Sequence, residues 1–412
     1  MRKIRWYDIL TLLQRRKRVY SLETVRTVKL NKKRVMGVLR LVLFLAMLFG
    51  GVVWIRWIQV REYTGYEVLE EHVLHSNLVG YKKGNEQLLV YSNDGAKAIN
   101  QSGAVEWEIS YQLDNPEVAF CEEVAAVADI GGTSVYVVAE NGIPNNYSVV
   151  YPIIKHEIAG QGVTAVLLDG GKEDYIQLYD KNGTLRVDIN TKTKADGIPI
   201  DIALSPDGKK LVTLYVTFLG ESMICKVTFY NADEVGKNYI NNIVGQKMFE
   251  KNQLVYDICF LNEETLCVLL EKGFALYRMA EVPELICEKT FQEDMVECLC
   301  VDRGLYVISD NAAKQRSMTF YNDKGEEKQR LTDLPEYENV TATAEEVVFF
   351  SPQRVTVYRA NRSMKFSTSF SQSLEAVFPA GNNRYFLVDV GKVQTIKLLK
   401  NTNSKESEEQ LQ

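Results

Sequence analysis

The sequence predicts an all-β chain built as a β-propeller of eight blades, with seven as the alternative, behind one N-terminal transmembrane helix. Three observations carry this reading. Short β-rich runs separated by tight-turn signals fill residues 77–400. They recur in units of about forty residues, the length of a four-stranded blade. One apolar stretch, residues 35–57, precedes them.

That stretch begins VMGVLRLVLFLAMLFGGVVWI, with Arg40 as the single charge between Val35 and Ile55. As a helix those residues would run about 31 Å, enough to cross a hydrocarbon core. Arg40 lies near the N-terminal end, where it can snorkel to the headgroups. Trp54 and Trp57 stand at the other end, as interfacial anchors do. Residues 1–34 form a basic tail ending in Lys32, Lys33 and Arg34. Residues 1–57 hold 14 Lys and Arg against Asp8 and Glu23, leaving 58–412 with a net charge of −18. The positive-inside rule therefore places the N-terminus in the cytoplasm and the rest outside the membrane. A cleaved signal peptide fits less well, because the charged segment ahead of the apolar run exceeds thirty residues.

Residues 58–76 read as a juxtamembrane connector, with Glu67–Glu71 as a candidate strand. Units then open near Leu78, Val118, Val163, Ile200, Val255, Val296, Val340 and Leu374. Turns are marked at Gly95, Gly103, Gly183, Pro206 and Gly208, where hairpins need a tight or left-handed backbone. The last unit supplies only three strands, so the connector strand is expected to complete it and close the ring. Residues 401–412 are polar and read as a disordered acidic tail.

AKAINQSGAVEWEIS, through Gly103, Val105 and Trp107, resembles the hairpin of quinoprotein-like repeats. ALSPDGKKLV, with Pro206 and Gly208, is similar to the strand–turn–strand of WD40-like blades. Taken with the basic tail and the anchor, the chain resembles an uncharacterised family of single-pass membrane proteins from Gram-positive bacteria. That resemblance implies an extracytoplasmic propeller and leaves the activity open. Asn100, Asn146, Asn182, Asn339 and Asn361 each start an N-x-[ST] pattern, which would mark glycan sites if the source were eukaryotic.

Chemistry is sparse. His72, His75 and His156 are the three histidines, without a third ligand beside the first pair for zinc. The seven cysteines show no metal-ligand spacing, and Cys259 and Cys267 are expected to face each other across a hairpin, within reach of a disulfide. The turns at Asp180–Gly183 and Asn322–Gly325 lack the ligand pattern of calcium loops. No cofactor or metal is expected, and the acidic excess argues against nucleic acid. The expected partners are the lipid bilayer and a protein or peptide outside it, bound by a non-enzymatic scaffold. A glycan-binding module and a glycan- or peptide-processing enzyme are the alternatives, the latter requiring a polar cluster in the central channel.

Overall fold

The computed structural model describes residues 40–51, 62–74, 78–139 and 141–400. The chain divides into two compact units, Met1–Arg61 and Glu62–Gln412. In the first, the described residues 40–51 are helical, with Leu41, Val42, Leu43 and Phe44 all more than half exposed. Among the described residues no helix is long and apolar enough to cross a membrane. Arg34, Trp54, Trp57 and the two tails lie outside the described residues.

The second unit consists of eight four-stranded antiparallel sheets. The first strands of the eight blades are Leu78–Lys83, Pro116–Cys121, Ile153–Ile158, Ile198–Leu204, Val255–Phe260, Asp294–Val301, Asn339–Ala342 and Leu374–Gly381. These strands contact their counterparts in neighbouring blades, so they form the inner wall of the ring. Second strands such as Val124–Asp129 and Thr265–Leu270 are covered on both faces. That is why they read as unbroken apolar runs, VAAVA and TLCVLL, instead of alternating. Outermost strands such as Val105–Ser110 alternate, with Trp107 and Ile109 turned inward and their neighbours in solvent.

Blade 8 contains the chain's three last strands, and its fourth is Gly65–Val73 from the connector. This closing strand runs antiparallel to Lys392–Leu399, from Gly65 opposite Leu399 to Val73 opposite Lys392. It extends beyond the expected Glu67–Glu71 at both ends. Tyr66 packs on Phe366 and Phe370 of blade 7, at ring-centroid distances of 6.4 and 5.1 Å. On the other side, His72 Nε2 lies 2.5 Å from the Gly103 carbonyl in blade 1. Gly103 has φ +90°, and a Cβ there would fall 2.4 Å from Glu70 Cβ. The turn therefore needs glycine both for its backbone and for this close approach.

Gly103 belongs to a recurring device at the turn between third and fourth strands. Asn100, Asp180 and Asn322 each accept two backbone N–H groups through the side-chain oxygen, from the residues two and four positions on. A glycine of positive φ follows three residues later, at Gly103, Gly183 and Gly325. The two calcium-like segments of the sequence are therefore turns of this kind. Pro206 and Gly208 lie in the first hairpin turn of blade 4, where Asp207 pairs with Lys210 at 2.9 Å. Gly95 opens the third strand of blade 1, and a Cβ on it would meet the Ile109 carbonyl at 2.4 Å.

Two expectations need correction. The unit start near Val163 lies between strands, because blade 3 begins with Ile153–Ile158. The outer strand before it, Pro144–Ser148, reads PNNYS and is nearly devoid of apolar residues. The apolar run SVVYPI that follows bridges the two blades, with Val149–Pro152 outside both strands. The second correction concerns Cys259 and Cys267, which do stand opposite each other in the ladder. The disulfide, however, joins Cys259 to Cys300 of blade 6, with Cα atoms 6.9 Å apart. Inner-strand side chains point towards the neighbouring blade, and this brings Cys259 to Cys300.

Deleting residues 65–73 should expose Lys392–Leu399 as an unpaired edge. The variant is expected to melt at least about 10 °C below the parent and to elute as oligomers in size-exclusion chromatography. A monomer with the parental melting temperature would contradict ring closure by this strand.

Candidate functional site in the central channel

The inner strands build the site, and they do so by a repeated irregularity. In blades 1, 3, 4, 5 and 6 the pairing with the second strand slips by one residue near the strand's start. The extra residues are Val79, Ile154, Ile200, Tyr256 and Val296, and all are between 39% and 50% exposed. A bulge turns its extra side chain out of the ladder, so these five form an apolar collar where the inner strands begin. Blade 8 has the same slip at Glu375.

In blades 3 to 6 a charged residue follows the bulge: Lys155, Asp201, Asp257 and Glu297. They form a polar wall next to the collar. Lys155 Nζ donates to Asp201 Oδ1 across the gap between blades 3 and 4. Burial works against the lysine's charge, but the Asp201 bond and the charges of Asp201, Glu157 and Asp257 raise its pKa overall. Asp257 is pushed up by burial first and then by the Asp201 charge and a shared hydrogen bond with that carboxylate. Glu157, two residues beyond Lys155, is raised to about 7, chiefly by burial and against the pull of Lys155 and Lys82. Lys82 belongs to blade 1, so the field acts across the channel as well as along one blade.

At the opposite end the inner strands turn back into second strands, and a cavity of about 1020 Å³ opens there. Its walls come from the first turns of five blades, including Lys83, Glu122, Pro206, Glu263 and Arg303. The Lys83 ammonium is depressed to about 8 by burial. Cys300 lines this cavity, and the sulfurs of Cys259, Cys267 and Cys300 all lie within 4.8 Å of one another. Among the described residues this is the one group placed to hold a metal ion.

Residues 59–398 match the family model DUF5711, described as a family of unknown function. The chain belongs to the DUF5711 family. The WD40 domain of SCAP from fission yeast is similar at a TM-score of 0.53 and 9% identity, over 81% of this chain and 98% of that one. A eukaryotic initiation factor is similar at 0.50 and 10% identity, over 80% and 83%. BamB from Moraxella catarrhalis gives 0.47 and 11%, over 81% and 100%. Likeness at this identity shows the propeller fold alone. No curated protein matches the chain.

In this DUF5711 chain the residues marked by sequence are structural, apart from the anchor positions: Gly95, Gly103, Gly183, Pro206 and Gly208 shape turns, and Trp107 fills the core of blade 1. His156 is 2% exposed, with Nε2 3.3 Å from the Ala126 carbonyl, and burial depresses it to about 4. The channel residues were missed, although a signal existed. In blades 3 to 6 an apolar residue followed directly by a charged one, Ile154-Lys155, Ile200-Asp201, Tyr256-Asp257 and Val296-Glu297, recurs within the first four residues of the inner strand, but the first pair lies nine residues before the expected unit start at Val163.

Glu157 and His156 give stability opposite dependences on pH. The folded chain keeps a proton on Glu157 that the unfolded chain releases above about 4.5, so this contribution is full at low pH and is lost as pH rises through about 7. The folded chain refuses the proton that unfolded His156 takes below about 6.5, so its contribution is full above that and is lost as pH falls towards 4. Each gives a slope of up to about 1.4 kcal/mol per pH unit, and over the shared window they offset. Glu157→Gln should remove one slope. The variant's stability relative to the parent is expected to grow between pH 5 and 7.5 in denaturant melts, and a constant difference would contradict the assignment.

Proposed function

We propose that this chain is a membrane-anchored, extracytoplasmic propeller that binds a protein or peptide without turnover, at the collar end of its channel. The observation that carries the reading is the pairing of collar and wall. Exposed apolar side chains on adjoining blades are backed directly by charges, and such a rimmed apolar patch marks a contact surface. The inner strands carry Lys82, Lys83 and Lys155 against Glu117, Glu157, Asp201, Asp257, Asp294, Glu297 and Glu375, so the balance is acidic. It suits a partner segment that carries an apolar side chain next to a basic one. The anchor rests on the apolar run 35–57 and its basic flank.

The alternatives are less well supported. Glycoside hydrolysis needs two carboxyl groups held apart on either side of a bond, whereas Asp201 is already paired with Lys155. Stacking of sugars favours aromatic surfaces, and four of the five collar residues are aliphatic.

Photo-crosslinking residues placed at Tyr256 and Ile200 should capture a reproducible protein partner in intact cells. A probe at Glu284, on the outer strand of blade 5, should not. Protease added outside the cells is expected to digest the captured complex. Equal capture from all three positions would contradict a collar site, and protection from external protease would contradict the location.

A further inference from the structure

The seven cysteines are spread along the sequence, yet the fold gathers five of them in one cluster at the junction of blades 5 and 6, and three of these bring their sulfurs together. Cys259 lies on the inner strand of blade 5, Cys267 opposite it on the second strand, and Cys300 on the inner strand of blade 6. Their sulfurs all lie within 4.8 Å of one another. Three sulfurs around one ion at about 2.3 Å stand about 4 Å apart when the arrangement is trigonal, so the cluster needs only small movements once the Cys259–Cys300 bond is open.

We infer that Cys259, Cys267 and Cys300, when reduced, form a trigonal site for a soft monovalent metal ion, with Cu(I) as the chemical fit. Three arguments support this. Thiolates favour soft ions, and a set of three ligands suits Cu(I), whereas a structural zinc site takes four. The shell is apolar, built by Leu261, Leu269 and Phe274 around the fully buried Cys267, and it keeps water from the ion. Cys300 lines the cavity at the turn end, which provides the route of entry.

The redox step is a two-electron reduction of the disulfide. A dithiol reductant supplies two electrons and two protons, giving the Cys259 and Cys300 thiols and an oxidised dithiol. Cu(I) then replaces thiol protons, which leave to solvent. The site is therefore open in a reducing setting and closed in an oxidising one, independently of any partner at the collar.

The test uses the full-length protein in detergent, reduced anaerobically with a water-soluble phosphine, desalted, and titrated with Cu(I) buffered by a coloured chelator. One Cu(I) per chain should transfer from the chelator to the protein, with a new sulfur-to-copper absorption in the ultraviolet. Cys267→Ser and Cys300→Ser should each weaken the transfer at least about 100-fold, while Cys121→Ser should leave it unchanged. Cys300 is half-buried, so its variant serves if Cys267→Ser fails to fold. No transfer to the reduced parent, equal transfer to Cys300→Ser, or a disulfide that survives the phosphine would each overturn the site.

Discussion

The channel depends on one pairing between segments more than three hundred residues apart. Until Gly65–Val73 lies along Lys392–Leu399, blade 8 has three strands and the ring has a seam. The ladder supplies the register, and side chains fix it from both sides. Tyr66 reaches blade 7, and the backbone N–H of Tyr63 bonds to the Lys365 carbonyl at 2.8 Å. Towards blade 1, Arg384 Nη1 donates to the Gln101 carbonyl at 3.2 Å and Asn382 Nδ2 to Gln101 Oε1 at 2.9 Å. The ion pairs along the ladder, Lys392–Glu71 and Lys397–Glu67, are partly exposed and contribute little by themselves. Backbone pairing and ring contacts hold the seam. Under blades 7 and 8 lies a buried network in which Lys365 pairs with Glu346 and the Tyr385 hydroxyl donates to that carboxylate at 2.9 Å. Removing one member would leave a buried charge without its partner, a costly loss.

A closed ring brings the inner strands together, and the bulges decide what they present. Without the slipped residue, each inner strand would alternate between its two neighbouring blades and give the channel mainly backbone. The bulge adds one side chain outside the ladder and re-aims the next. The result is an apolar rim with a charged wall behind it. The two ends of the channel therefore differ in chemistry: an apolar collar at one and a wide cavity of mixed charge at the other. The thiol cluster sits near the second end.

Much of the fold was legible because it is written in local, repeated chemistry. Asn100 and Gly103, Asp180 and Gly183, and Asn322 and Gly325 mark turns that need specific residues for φ and for side-chain caps. Fully covered second strands leave unbroken apolar runs. The missing fourth strand of the last unit pointed to the connector. Blade 3 was misplaced where this local writing fails: PNNYS lacks apolar residues, and VVYP crosses between blades. The candidate site was far less legible. A bulge is a property of pairing register, which one strand alone does not reveal. Glu157, Asp201 and Lys82 come from three blades and interact only across a closed channel. Likewise, the Cys259–Cys267 opposition follows from one hairpin, whereas the contact with Cys300 depends on how two blades pack.

Hydrogen–deuterium exchange of the full-length protein tests the central claim most directly. If the closing strand completes the ring, those amides of residues 65–73 that donate to Lys392–Leu399 should be protected and should lose protection together with blade 8 as denaturant rises, while the alternate amides on the open edge exchange quickly. Exchange of the donating amides at the rate of a free terminus, with the rest of blade 8 still protected, would show that the ring closes without this strand.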